Sequence, residues 1–295
     1  MLRSFGHTAS RSGRIWILNG APSSGLLTRG AVSERHAQFL RALRLRQTKV
    51  VVVQFAVLAA FLGLWQVAAT WRIIDPFITS QPSAILQKLL ELTNDGSLGY
   101  NVTITVIETL VGFGIGTVVG IAIAGIFWWW DFLSDVADPY VVVLNATPKM
   151  ALGPVFIVWL GATLTAVIAL AVSISLFVTI LSVYSAFRQA DPEKLVLVSS
   201  FGASKWQQFS KVVFPSAVPT IIATLKVNIG LSLIGAIVGE FLAANAGLGY
   251  LIIYGQNIFN MSLVMTSLVI LTVIAGVMYY GVNLLERYFV PWRRY

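Results

Sequence analysis

Six runs of twenty or more mostly apolar residues, near 50–70, 102–128, 139–160, 163–187, 217–242 and 263–285, leave this chain few folds to choose from. The hydrocarbon core of a bilayer is about 30 Å thick, which a helix crosses in about 20 residues at about 1.5 Å each. Charged residues make up 11% of the 295, far below the roughly 25% of a soluble domain. There is no cysteine, which excludes disulfides and thiolate chemistry. The reading is an all-α integral membrane protein with six transmembrane helices. Pro148 and Pro154 interrupt the third run, and only a short turn near Gly161 divides it from the fourth. Prolines inside a span are tolerated where neighbouring helices or a cavity satisfy the freed backbone groups.

The net charge of +8 reflects where lysine and arginine cluster and does not point to nucleic acid. Nine of the 20 lie in the first 49 residues, and Arg188, Lys194, Lys205, Lys211, Arg287, Arg293 and Arg294 fall in two further polar segments. The opposite loops carry only Arg72 and Lys88. The positive-inside rule therefore places both termini and the 188–216 loop in the cytoplasm. Residues 1–48 read as a basic, flexible extension rather than an organellar transit peptide, and 49–295 as the transmembrane domain. Within the extension, Glu34–Gln47 has the composition of a basic helix lying on the membrane surface. In the opposite loop, Pro82–Thr93 reads as an amphipathic helix, with Ile85, Leu86, Leu89, Leu90 and Leu92 against the membrane or the bundle.

Gly112, Gly116, Gly120 and Ala124 recur every four residues in the second run, and Gly235 and Gly239 repeat the spacing in the fifth. Small residues so spaced let helices approach closely in lipid. Chemistry on the chain itself is excluded by what is missing. The two histidines, His7 and His36, lie outside the runs, and there is no metal-ligand spacing, no Gly-flanked nucleophilic serine and no phosphate-cradling GxxxxGK[ST]. Four charges fall at membrane depth: Glu108, Lys149, Lys226 and Glu240. Such charges default to functional candidates. The plainer reading puts the glutamates near the outer interface and the lysines near the inner one, where long side chains snorkel.

The loop from Asp191 to Pro219 is the largest polar segment between runs. Asp191-Pro192-Glu193 reads as a helix start, with Asp as N-cap and Pro in the first turn. Gly202 breaks that helix at a turn suited to a small residue. Ser204–Val213 reads as a second helix with an apolar stripe of Trp206, Phe209, Val212 and Val213, stopped by Pro215 and Pro219. Exposed aromatic and basic residues on such a knob suit a docking surface.

Gly202, with Val212, Phe214 and Pro215 following, fits the pattern EAA-x3-G-x9-I-x-L-P. In this the chain resembles the permease subunits of binding-protein-dependent ABC importers. The resemblance runs from about Trp65 to Trp292. PFITSQPSAI (76–85), LNATPKMALGPVFIVWLG (144–161), FGASKWQQFSKVVFPSAVPTII (201–222) and GEFLAANAGLGYLI (239–252) look like the nitrate/sulfonate/taurine/bicarbonate branch. One departure stands out: Val196-Leu197-Val198 occupies the Glu-Ala-Ala positions, and Glu193 lies three residues too early to replace the glutamate.

The resemblance implies a type I ABC importer-like bundle with a cytoplasmic coupling helix at about 191–215. It implies a permease in the plasma (inner) membrane, surrounded by lipid and paired with a second copy. A separate ATPase carrying ATP-Mg would dock at Asp191, Glu193, Gly202, Ala203, Ser204, Trp206, Phe209 and Pro215. An extracytoplasmic solute-binding protein would deliver the solute. The chain itself would be no enzyme and would bind no cofactor or metal. Asn145, Lys149, Asn228, Ser232 and Glu240 are the candidates for the translocation path, with Lys149 and Lys226 favouring an anion. The rival reading, a stand-alone six-span secondary transporter or channel, would call for internal repeats or rings of charge.

Overall fold

The computed structural model describes residues 34–289. Among these residues every regular element is helical: α1 (Glu34–Thr70), α2 (Pro76–Thr79), α3 (Pro82–Asn94), α4 (Ser97–Trp129), α5 (Asp131–Ala146), α6 (Gly153–Leu160), α7 (Leu164–Arg188), α8 (Pro192–Ser200), α9 (Lys205–Gln208), α10 (Phe214–Ala243), α11 (Leu248–Asn257) and α12 (Met261–Phe289). The extension expected over 1–48 lies outside the described residues up to 33, as do Trp292, Arg293 and Arg294. From Glu34 the backbone is helical and runs unbroken into the first span, so the basic segment is no separate surface helix. Apolar side chains from Val50 to Phe61 are exposed, as suits a helix facing lipid.

Among the described residues five helices are each long and apolar enough to cross a membrane: Thr48–Thr70, Ser97–Trp129, Leu164–Arg188, Lys205–Ala243 and Met261–Glu286. The sixth crossing expected from the sequence is a bent pair, Asp131–Ala146 and Lys149–Leu160, whose axes meet at 89°. Of the nearby prolines only Pro148 breaks the chain. Thr147 before it is pushed to an extended conformation (φ −62°, ψ 136°). Pro154 instead sits in the first turn of α6, where no N–H is missed, and Pro139 is absorbed within α5.

The core is three helices in close contact. Gly112 and Gly120 of α4 meet Ala171 and Thr179 of α7 in ascending order, so these two helices run parallel. Gly235 and Gly239 of α10 meet Ala171 and Val167 in descending order, so α10 runs antiparallel to both. A Cβ on Gly112 would stand 2.6 Å from the Ala171 Cβ, and one on Gly235 2.6 Å from the Ala171 Cα. Ala171 is thus clasped from both sides, and only glycine permits that spacing. Between the helices the buried Asn228 donates from Nδ2 to Thr179 Oγ1 (2.6 Å) and Thr117 Oγ1 (3.5 Å).

Apolar clusters fill both ends of this trio. At the 191–213 loop, Ala124, Val183, Phe187, Val213 and Ala217 pack together. At the other end, Leu233, Leu248, Leu251, Leu271 and Ile274 join α10, α11 and α12. The expected amphipathic helix is α3, with Ile85 and Leu92 buried, Leu86 and Leu90 exposed. Gln66 of α1 ties down its start, donating to Ser83 Oγ (3.2 Å) and accepting from the Ser83 N–H (3.0 Å).

Candidate functional site

The polar loop folds as two short helices on an aromatic base. The Asp191 carboxylate accepts from the Glu193 N–H at 3.0 Å, capping α8 as its sequence predicts. At the far end the Gly202 N–H donates to Ser199 O (2.9 Å) and the Ala203 N–H to Val198 O (3.1 Å). This is the Schellman pattern, which needs a left-handed residue, and Gly202 has φ +78°. No atom lies within 4 Å of where its Cβ would be, so the demand for glycine is conformational and not one of space. Ser204 and Gln207 then form a reciprocal capping box that starts α9.

The second helix does not stop at Pro215 and Pro219, contrary to the sequence expectation. Phe209–Val213 forms a π turn, in which the Phe214 N–H reaches back five residues to Phe209 O. The widened turn precedes Pro215, whose ring would meet a carbonyl in a regular helix and which has no N–H to donate. Lys205 to Ala243 is therefore one helical path of 39 residues.

Phe209 belongs to the base more than to the docking face. Its ring lies 5.1 Å from Trp128, 5.3 Å from Phe187 and 6.0 Å from Phe214. Lys205 Nζ donates to Trp129 O (2.6 Å) and lies over the Trp128 and Trp129 rings. The signal for this base was the run Trp128-Trp129-Trp130 ending the second apolar run, which sequence reasoning passed over. Outward from it stand Phe201 (82% exposed), Val196 (69%), Trp206 (63%) and Leu197 (56%). Glu193, Ser204 and Pro215 are also exposed, while Ala203 and Asp191 are half-buried. Beside the base a cleft of about 300 Å³ is lined by Trp128, Asp131, Asp135, Tyr184, Arg188 and Leu195.

The five membrane candidates fall into three groups of contacts. Lys149, just past the bend, donates from Nζ to Asn145 O (2.6 Å) and Asn145 Oδ1 (3.3 Å) and lies 5.9 Å from the Phe177 ring centroid. The break at Pro148 takes the regular partner from the Asn145 carbonyl, and the ammonium supplies one. Asn228 and Ser232, one turn apart on α10, are buried in the three-helix core; Asn228 Oδ1 and Ser232 Oγ have no hydrogen-bond partner among the described residues. Glu240, at the opposite end of α10 from the loop, accepts from the Thr105 hydroxyl (2.6 Å) and from the Gly249 N–H. Gly247 (φ +110°) sits so close that a Cβ there would overlap the Glu240 carboxyl group. Its N–H donates to Asn101 Oδ1 (2.7 Å), and the Leu248 N–H donates to Thr105 Oγ1 (2.9 Å). Glu240 therefore organises the turn that launches α11.

The snorkelling picture fails for three of the four charges at membrane depth. Glu108 and Glu240 are 2% and 1% exposed, buried between helices. Lys226 is ion-paired across the bundle with Glu286 of α12, each side chain about one-fifth exposed (21% and 22%). That pairing removes Lys226 as a free cation for an anionic solute.

Comparison with known proteins agrees with this architecture. The chain is 26% identical to the formylaminopyrimidine transport permease protein ThiX of Halalkalibacterium halodurans, over 78% of this chain and 92% of the relative. It is 28% identical to the riboflavin transport system permease protein RibX of Chloroflexus aurantiacus, over 80% and 88%. With the taurine transport system permease protein TauC of Escherichia coli the identity is 22%, over 83% and 91%. Among solved structures, inward-facing conformations of the MetNI methionine ABC transporter share the fold, with a TM-score of 0.57, 19% identity and coverage of 63% of this chain and 93% of that one. The bundle is thus of the type I ABC importer kind. The model of the family described as "Binding-protein-dependent transport system inner membrane component" matches residues 116–295, which take in the C-terminal part of α4, the aromatic base, the loop and the α11 turn. The chain belongs to that family of inner membrane transport components.

Proposed function

We propose that this chain is the solute path of an ATP-driven importer for a small anion, driven by a separate ATPase that docks on the 191–215 loop. The observation that carries the reading is the exposed apolar set Val196, Leu197, Phe201 and Trp206 on a knob whose own fold is fixed by caps and an aromatic base. A surface so apolar and so well anchored is the mark of a protein contact. Val196 and Leu197, at the Glu and first Ala of the Glu-Ala-Ala positions, belong to it, so docking here is apolar where the family pattern has a glutamate. Lysine and arginine placement supports a cytoplasmic position for this loop and both termini.

In this reading two copies of the chain pair in the membrane, and ATP-Mg sits on the ATPases alone. An external binding protein brings the solute to the opposite face. Closure of the ATPase pair moves the knobs, and the unbroken Lys205–Ala243 helix carries that motion across the bundle. Lys149 favours an anion, because two of its three donors are spent on Asn145 and one is left to a ligand. The relative named for taurine supports a sulfonate-like solute. Asn228, Ser232 and Glu240 serve the packing that such a motion must preserve.

The test is co-purification of the full-length permease with its partner ATPase, followed by transport in proteoliposomes. Phe201→Ser with Trp206→Ser should lose the ATPase while the permease stays monodisperse. Lys149→Met should keep the ATPase and lose uptake of an anionic solute. Retention of the ATPase and of transport by the Phe201/Trp206 variant would sink the docking assignment.

A further inference from the structure

Two acidic side chains meet inside the bundle where no base accompanies them. Thr105 of α4 donates to Glu240 of α10 at 2.6 Å, and Glu108 stands one turn further along the same face of α4; both glutamates are all but sealed from solvent. Glu240 is equipped as an acceptor, taking the Thr105 hydroxyl on one oxygen and the Gly249 N–H on the other. Glu108 is not: its Oε2 is buried and receives no donor. As a carboxylate, Glu108 would leave that oxygen bare beside a second negative charge, an arrangement that burial forbids. As an acid, its O–H has a carboxylate to donate to.

The neighbouring helices offer no compensating charge. On α4 the other titratable side chain is Tyr100, two turns away, and on α10 it is Lys226, about four turns away and paired with Glu286. Helix α11 contributes Tyr250 and Tyr254, whose rings stack on each other at 5.8 Å. Helix α7 carries Tyr184 and Arg188 towards its loop end, and α3 carries Lys88 and Glu91, paired together at 2.7 Å. Helix α12 bears its charges and tyrosines from Tyr279 onward, beyond the half that packs on α11. One bound proton would remove the repulsion and leave a single negative charge, on a Glu240 that already has the Thr105 and Gly249 donors.

We propose that Glu108 and Glu240 hold a single proton, carried by Glu108 and donated to Glu240, as a structural ligand that locks α4 to α10 and to the turn into α11. The proton binds the folded state and stabilises it at every pH below the step at which it leaves. Above that step two like charges face each other across α4 and α10, and the junction opens. Because α10 is also the helix that begins at the loop, the site would make the far end of that helix sensitive to pH.

The experiment is infrared spectroscopy and thermal melting of the full-length permease in lipid nanodiscs across a pH series. At neutral pH the wild type should show a protonated-carboxyl C=O band that is lost in Glu108→Gln. On raising the pH the wild-type band should vanish together with a fall in melting temperature. Glu108→Gln should show no such fall, because its amide N–H donates to Glu240 permanently. Glu240→Gln, which sets an amide donor against the Thr105 and Gly249 donors, should melt below Glu108→Gln at neutral pH. If Glu108→Gln does not fold, the wild type decides alone: a melting temperature that stays flat while the band vanishes overturns the proposal. An absent band, with a melting temperature that rises with sodium or lithium at constant ionic strength, overturns it in favour of an alkali cation.

Discussion

A single methyl group at Gly235 tests whether the three-helix core is set by backbone contact. The added Cβ would stand 2.6 Å from the Ala171 Cα, 3.1 Å from its N and 3.3 Å from its Cβ. Carbon atoms rest at about 3.5–4.0 Å, so α10 and α7 must separate by roughly 1 Å there. The blocking atoms are backbone, and no rotamer change can clear them. Nor can α7 retreat freely, because Gly112 of α4 closes on Ala171 from the other side. Overpacking of this kind costs about 1–3 kcal/mol. Gly230, on the same helix, has nothing within 4 Å, so Gly230→Ala isolates the helix-propensity gain of about 0.5–1 kcal/mol. At about 2–4 °C per kcal/mol for a chain of this size, Gly235→Ala should melt several degrees below Gly230→Ala in nanodiscs. Adding Ala171→Gly should not restore stability, since the two shortest approaches are to backbone atoms. A Gly235→Ala protein that melts at or above Gly230→Ala would refute the clasp.

Two further outcomes follow from the loop and the ion pair. Gly202→Ala places a side chain at φ +78° without any clash, so it should destabilise the turn by about 1–2 kcal/mol, read as faster proteolysis of the loop, with Gly202→Asn intermediate. For Lys226 and Glu286, Lys226→Met and Glu286→Gln should each lower the melting temperature more than the double variant does. A double-mutant cycle should return a coupling of about 0.5–1.5 kcal/mol; independent, additive losses would show that the contact carries no stability.

Local signals were legible and long-range pairings were not. Asp191 and Gly202 declared their roles because capping and left-handed turns are written within a few residues. The glycine spacing of α4 and α10 announced close packing, though not that both helices close on one alanine. Pro148, Pro154, Pro215 and Pro219 look alike in a sequence, yet only Pro148 breaks a helix; the π turn that excuses Pro215 leaves no composition signal. Glu240 reads as a pathway candidate, and nothing local to it announces the Thr105 hydroxyl that it accepts from in the fold. The separation of 132 residues between the two glutamates, like that of 60 between Lys226 and Glu286, keeps such neighbours out of any local pattern.

The π turn at Phe209–Val213 has an angular consequence. A helix advances about 100° per residue, so the turn sets the azimuth of everything before it relative to α10. Deleting one residue there would swing α9 by about 100° about the axis and draw it in by about 1.5 Å. Lys205 would leave the Trp129 carbonyl, Phe209 would lose its place among Trp128 and Phe187, and Trp206 would face a new direction. This segment should therefore accept a change of residue type far more readily than a change in residue number.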